Sequence, residues 1–93
     1  MSVDWILIEK KKECTGSEIN KGSFLEVTGC AESCRQVSSM FVFGTNEFGT
    51  NRCDESGCAC YCETAATNEG DCQLTDHEGY NLFKFENFSS LSK

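Results

Sequence analysis

The sequence predicts an α+β fold: a curled antiparallel sheet of about four or five strands cradling one short helix, stapled by disulfides. Three observations carry that expectation. Eight cysteines fall within 93 residues. Two of them, Cys30 and Cys34, are spaced to share one face of a helix. Short apolar runs alternate with turns made of Gly, Asn, Asp and Ser, in a chain without proline.

Trp5-Ile6-Leu7-Ile8 is apolar and β-branched and reads as a first strand, ending in the charged segment Glu9 to Glu13. Cys14-Thr15-Gly16-Ser17 marks a turn. Ser23 to Val27 is a short strand or an approach to the helix that follows. Thr28 is placed to cap that helix over about residues 29–37, with Glu32 in its early turns, where the dipole favours acid. Met40-Phe41-Val42-Phe43 is the most strand-like run of all. The segment Phe43 to Asn51 carries Phe-Gly-Thr-Asn twice, five residues apart, and reads as a long turn. In Gly57-Cys58-Ala59-Cys60-Tyr61-Cys62 the period of two sets three cysteines on one face of a strand. A polar loop, Thr64 to Asp71, leads to Cys72. Asp76-His77-Glu78-Gly79 is expected to turn, and Tyr80 to Phe85 to form the last strand. Bridges from the helical cysteines to the strand cysteines would fasten helix to sheet. The aromatic stripe Trp5, Phe24, Phe41, Phe43, Phe83 and Phe85 reads as core.

The length accommodates one domain, residues 1–93, with its core over about 5–86 and a polar tail over 87–93. A chain this short buries only roughly 60–65% of its unfolded surface, so covalent staples are a common supplement. Each bridge contributes about 2–4 kcal/mol. Such cysteine density belongs to oxidising compartments. All eight cysteines, Cys14, Cys30, Cys34, Cys53, Cys58, Cys60, Cys62 and Cys72, are therefore expected to be paired in a secreted protein. The chain shows no signal peptide, and Met1 reads as an initiator added to a mature domain. Its only sustained apolar start, Trp5 to Ile8, is too short to insert in a membrane.

Fifteen acidic residues against eight basic ones give a net charge of −7. Polyanion binding begins with a basic patch, and the one basic run, Lys10-Lys11-Lys12, is flanked by Glu9 and Glu13. Nucleic acid, heparin and anionic membrane are not expected partners.

These features together resemble the PAN/apple family over roughly residues 5–86. The similar elements are the strand bearing the first cysteine, the helix Cys30-Ala31-Glu32-Ser33-Cys34, the aromatic strand Phe41-Val42-Phe43, the cysteine strand Cys58 to Cys62 and the closing strand Tyr80 to Phe85. The resemblance implies a curved antiparallel sheet cradling a helix whose cysteines bond into the sheet. It also implies extracellular adhesion or recognition, of proteins in some members and glycans in others. The chain departs from the family at Ser38-Ser39-Met40, where many members carry a cysteine, and in its larger cysteine count. Connectivity and ligand residues are therefore not carried across. From the shared helical face, Cys30 and Cys34 are expected to bond within the set Cys53, Cys58, Cys60 and Cys62, and Cys14 to pair with Cys72.

No catalytic constellation, cofactor or metal site is expected. Cys58, Cys60 and Cys62 with Cys53 and His77 offer metal ligands, but C-x-C-x-C suits one tetrahedral ion poorly, and disulfides are the simpler use. His77, the single histidine, reads as a turn residue whose acidic neighbours favour its protonated form. Asp54-Glu55-Ser56-Gly57 and Asp76-His77-Glu78-Gly79 lack the alternation of a calcium-binding loop and read as solvated turns. Recognition is expected from the loop Thr45 to Arg52, through Asn46, Glu47, Phe48, Asn51 and Arg52; the simpler reading is that Phe48 folds back on the core. The expected function is thus an extracellular module that binds a protein or glycan through loops. The alternative is a secreted effector, such as a toxin or a protease inhibitor presenting the loop Thr64 to Asp71. Asn87-Phe88-Ser89 fits a glycosylation sequon, with Asn87 the candidate acceptor.

Overall fold

The structure, a computed structural model, describes residues 4–86. Met1, the Asn87 sequon and the polar tail lie outside the described residues. Six strands and one helix follow in the order β1 (Trp5–Cys14), β2 (Ile19–Phe24), α1 (Val27–Cys34), β3 (Met40–Gly44), β4 (Cys53–Asp54), β5 (Gly57–Cys62) and β6 (Leu74–Phe85). They form one antiparallel sheet in the order β1-β6-β3-β5-β2, with the two-residue β4 paired to β5. This is the expected α+β class, with the strand count extended to six.

Alternation along β3 and β6 divides the core in two. Phe41, Phe83 and Phe85 join Cys30, Ala31, Cys34, Cys60 and Cys62 on the helix side, with Trp5, Phe24 and Phe43 packed around them. Phe41 and Phe83 sit directly opposite each other across β3 and β6, their rings stacked at 5.1 Å, while Trp5 meets Phe83 edge-on at 5.7 Å. Of the aromatic stripe expected to be core, Phe41, Phe83 and Phe85 are buried, and Trp5, Phe24 and Phe43 are partly buried at its margin. Residues of the opposite parity, Met40, Val42, Tyr80 and Leu82, gather with Cys14 on the other face, where Ala66, Tyr61 and Cys72 cover them.

Four disulfides hold this arrangement: Cys14–Cys72, Cys30–Cys60, Cys34–Cys62 and Cys53–Cys58. No cysteine is free. Both helical cysteines bond to β5, as their shared face implied, and Cys53–Cys58 closes the β4–β5 hairpin across directly opposed residues. None of the described helices is long and apolar enough to cross a membrane.

Local expectations fail in four places, each for a physical reason. The helix starts at Val27, two residues before the expected 29, and ends at Cys34; Glu26 stands at its N-cap position without a side-chain bond, so Thr28 is not the cap. Two bridges hold this eight-residue helix in place of a cap. Gly29 lets it settle on β2, since a Cβ there would come 2.8 Å from the Phe24 ring. The second strand lies at Ile19–Phe24, earlier than Ser23 to Val27, because pairing with β5 decides its span.

The charged run Glu9 to Glu13 continues β1 rather than ending it. β1 is an edge strand, where charged side chains reach water and deter further pairing. Asp76 to Gly79 does not form a separate turn but lies within β6. Its turn chemistry survives as an irregularity: Lys10 faces Asn81 and Lys12 faces Asp76, so His77 to Tyr80 bulge against the lone Lys11. Lys11 takes up the mismatch with φ of 62°, the one positive φ outside glycine among the described residues.

Candidate recognition site

The loop from Thr45 to Arg52 leaves the central strand β3 and enters β4, so both its ends are fixed by the sheet. Asn46 organises its interior. The Asn46 Oδ1 accepts hydrogen bonds from the Arg52 and Cys53 N–H groups at 2.7 and 3.0 Å, and Nδ2 donates to the Cys53 carbonyl at 3.0 Å. The Thr45 hydroxyl accepts from the Glu47 N–H at 3.0 Å, and Thr50 Oγ1 donates to the Thr45 carbonyl at 2.6 Å. Gly49, with φ of 86°, makes the bend that an L side chain would strain.

Three side chains then brace the loop against the β1–β6 irregularity. Glu47 accepts from Lys10 Nζ at 3.3 Å. Phe48 lies under the Lys11 ammonium, 4.8 Å from ring centroid to nitrogen. The Arg52 guanidinium covers the Tyr80 ring at 5.2 Å, with Nη2 3.2 Å from His77 Nε2. Gly79 makes that approach possible, because a Cβ there would fall 2.6 Å from Arg52 Cγ. His77 is itself held by the Gly79 N–H, which donates to Nδ1 at 3.1 Å. Beside it, Lys10, Lys11, Lys12, Asp76, His77 and Glu78 line a cavity of about 230 Å³.

The five residues singled out from the sequence are thus brought together but not equivalent. Asn46 and Glu47 are engaged in holding the loop. Phe48 is half-buried and belongs to neither core cluster. Asn51 and Arg52 are exposed. Among the described residues, neither Arg52 nor Lys11 is in an ion pair with a carboxylate, and each lies over a ring of its own, Tyr80 and Phe48. Lys11 and His77 complete the surface over the buried Tyr80 ring, and only the β1–β6 register brings the three to the loop.

The other candidate segments are committed elsewhere. Asp54 Oδ1 accepts from Ser56 N–H within the β4–β5 turn at 2.8 Å, and Asp76 pairs with Lys12. The loop Thr64 to Asp71 is tied down by Ala65 N–H donating to Ser17 O at 3.1 Å and by Ser39 Oγ donating to Thr67 O.

One buried acid shapes the electrostatics of the sheet face away from the helix. Burial pushes the Glu63 carboxyl up to about 8, opposed by a hydrogen bond from the Cys14 N–H and reinforced by Glu18 and Glu13. Its value in the unfolded chain is near 4.5. Protonated Glu63 therefore favours the folded state; this contribution is complete below pH 4.5 and lost as pH rises through 8. In chelator-treated protein, thermal stability should fall over that window, at no more than about 1.4 kcal/mol per pH unit. Glu63→Gln should flatten the decline, as unfolding followed at several pH values would show.

Compared with protein-family models, curated proteins and solved structures, the chain matches none of them.

Proposed function

We propose that the chain is a secreted, extracellular recognition module that binds a protein or glycan through the loop Thr45 to Arg52, rather than an enzyme. The observation that carries this reading is the construction of the loop. Its backbone is fixed by Asn46 and the Cys53–Cys58 bridge, while Asn51 and Arg52 are exposed and Phe48 is half-exposed beside them. A loop ordered in advance pays little conformational entropy on binding. Arg52 and Phe48 supply the planar cation and aromatic face that commonly anchor interfaces, and both also suit sugar rings and their acidic substituents. Four disulfides support an oxidising, extracellular setting. The arrangement of helix cysteines bonded into the cysteine strand supports a distant PAN/apple relationship, which we propose on that basis.

The test uses a glycan array together with pull-down from an extracellular-matrix extract. Wild-type protein should capture a ligand, and the combined Phe48→Ala, Asn51→Ala, Arg52→Ala variant should lose at least about tenfold in affinity, or roughly 1.4 kcal/mol. Equal capture by both proteins would place the binding surface elsewhere.

A further inference from the structure

A second site lies on the sheet face away from the helix, where three acids distant in sequence converge. Glu63 follows β5 directly, its N–H donating to the Met40 carbonyl at 2.9 Å. The residue has 0% exposure. Its Oε2 accepts from the Cys14 N–H at 3.2 Å. Its Oε1 is equally buried and accepts no hydrogen bond from an N–H or hydroxyl group among the described residues, while the Glu18 and Glu63 carboxyls stand within hydrogen-bonding reach of each other. Glu13, at the end of β1, and Glu18, in the β1–β2 connection, bring their carboxylates to the same point. One oxygen from each of the three lies within 4.8 Å of the other two. None of the three is in an ion pair among the described residues.

We propose that Glu13, Glu18 and Glu63 form a binding site for a hard divalent cation, calcium in the extracellular setting. The idea does not depend on how the Thr45–Arg52 loop is used. Calcium holds oxygen ligands at about 2.3–2.6 Å, so two ligands on opposite sides of the ion stand about 4.6–5.2 Å apart. Oxygens all within 4.8 Å of one another can therefore share one calcium ion. Magnesium, at about 2.0–2.1 Å, limits that separation to roughly 4.2 Å and demands stricter octahedral geometry. Burial makes the ionised form of Glu63 costly, and a bound cation would favour that form over the protonated one by supplying counter-charge. The ion would join the end of β1, the β1–β2 connection and the end of β5, beside the Cys14–Cys72 bridge. Glu13 and Glu18 stand five positions apart and Glu18 and Glu63 forty-five, so no linear calcium-loop pattern announces the site.

The alternative use of the same geometry is a proton shared between Glu18 and Glu63, and thermal unfolding distinguishes the two. Extracellular modules bind calcium at about 10⁻⁴–10⁻³ M. At a calcium concentration about ten times the dissociation constant, the folded-to-unfolded ratio rises about tenfold, and Tm by roughly 5–10 °C over protein in EDTA. Calorimetric titration of calcium chloride into the full chain should give saturable binding near one ion per chain. Glu63→Gln and, separately, the more exposed Glu18→Gln should each weaken it at least about tenfold, while Glu55→Gln in the β4–β5 turn leaves it unchanged. Glu18→Gln keeps the test decisive should Glu63→Gln fold poorly. An identical Tm in EDTA and calcium, with no titration heat, would overturn the proposal. So would an equal calcium response in wild type and both variants.

Discussion

Truncating Phe41 to alanine is expected to cost about 3–5 kcal/mol of folding free energy. The ring is fully buried on the central strand β3 and contacts Trp5, Phe83 and Phe85 at centroid distances of 6.2, 5.1 and 5.2 Å. It also lies in the cluster that contains all four cysteines of the two helix-to-strand bridges. Those bridges limit how far the surroundings can collapse into the space left behind, and an unrelaxed cavity adds to the lost transfer energy. Chemical denaturation of oxidised wild type and variant measures the difference. A loss below about 1 kcal/mol would mean that the aromatic layer does not organise the fold.

The second large effect is expected on removing a long-range bridge. Cys14–Cys72 spans 58 residues, against 30 for Cys30–Cys60, 28 for Cys34–Cys62 and 5 for Cys53–Cys58. From loop entropy alone, replacing the Cys14–Cys72 pair by alanines should cost about 4 kcal/mol, either helix bridge about 3–4, and the hairpin bridge about 2. Burial alters this order. Cys30, Cys34, Cys60 and Cys62 are all fully buried, so alanines at either helix bridge also forfeit packed sulfur contacts in the aromatic layer. The double variants Cys34→Ala/Cys62→Ala and Cys14→Ala/Cys72→Ala should therefore be comparably destabilised, and both well below Cys53→Ala/Cys58→Ala in stability. Melting the three proteins side by side checks the ranking. A hairpin variant as unstable as the other two would contradict it.

Much of this architecture was legible in the residues. Cys30 and Cys34 at helical spacing, and Cys58, Cys60 and Cys62 at strand spacing, pointed to two faces that meet, without saying which strand cysteines the helix takes. Met40-Phe41-Val42-Phe43 reads as a strand with Phe41 and Phe43 in the core, while the second core beneath Met40 and Val42 emerges only from the fold. Local signals misled where tertiary pairing overrode them. Glu9 to Glu13 look unlike a strand, yet backbone pairing with β6 serves an edge strand whatever its outward side chains. Asp76 to Gly79 look like a turn, and their excess length is absorbed as a bulge facing Lys11. The site was harder to read. Asn46 is a common turn residue, and only the fold shows that both ends of its amide are committed to Arg52 and Cys53. Lys11, His77 and Tyr80 reach the loop through strand register, and the Glu13, Glu18 and Glu63 cluster through chain closure. Neither leaves a linear pattern.

The Thr45 to Arg52 loop is ordered by its own hydrogen bonds and by contacts with β1 and β6, and Phe48→Ala distinguishes a surface ring from a core one. Phe48 lies outside both core clusters and rests under Lys11. Its truncation removes a half-exposed ring and one cation–π contact, each a small term at such a site. Denaturant unfolding of Phe48→Ala beside Phe41→Ala should show a loss below about 1 kcal/mol for the former and about 3–5 kcal/mol for the latter. A loss of about 3 kcal/mol or more at Phe48 would make the ring a core residue and the loop a structural closure, not a recognition surface.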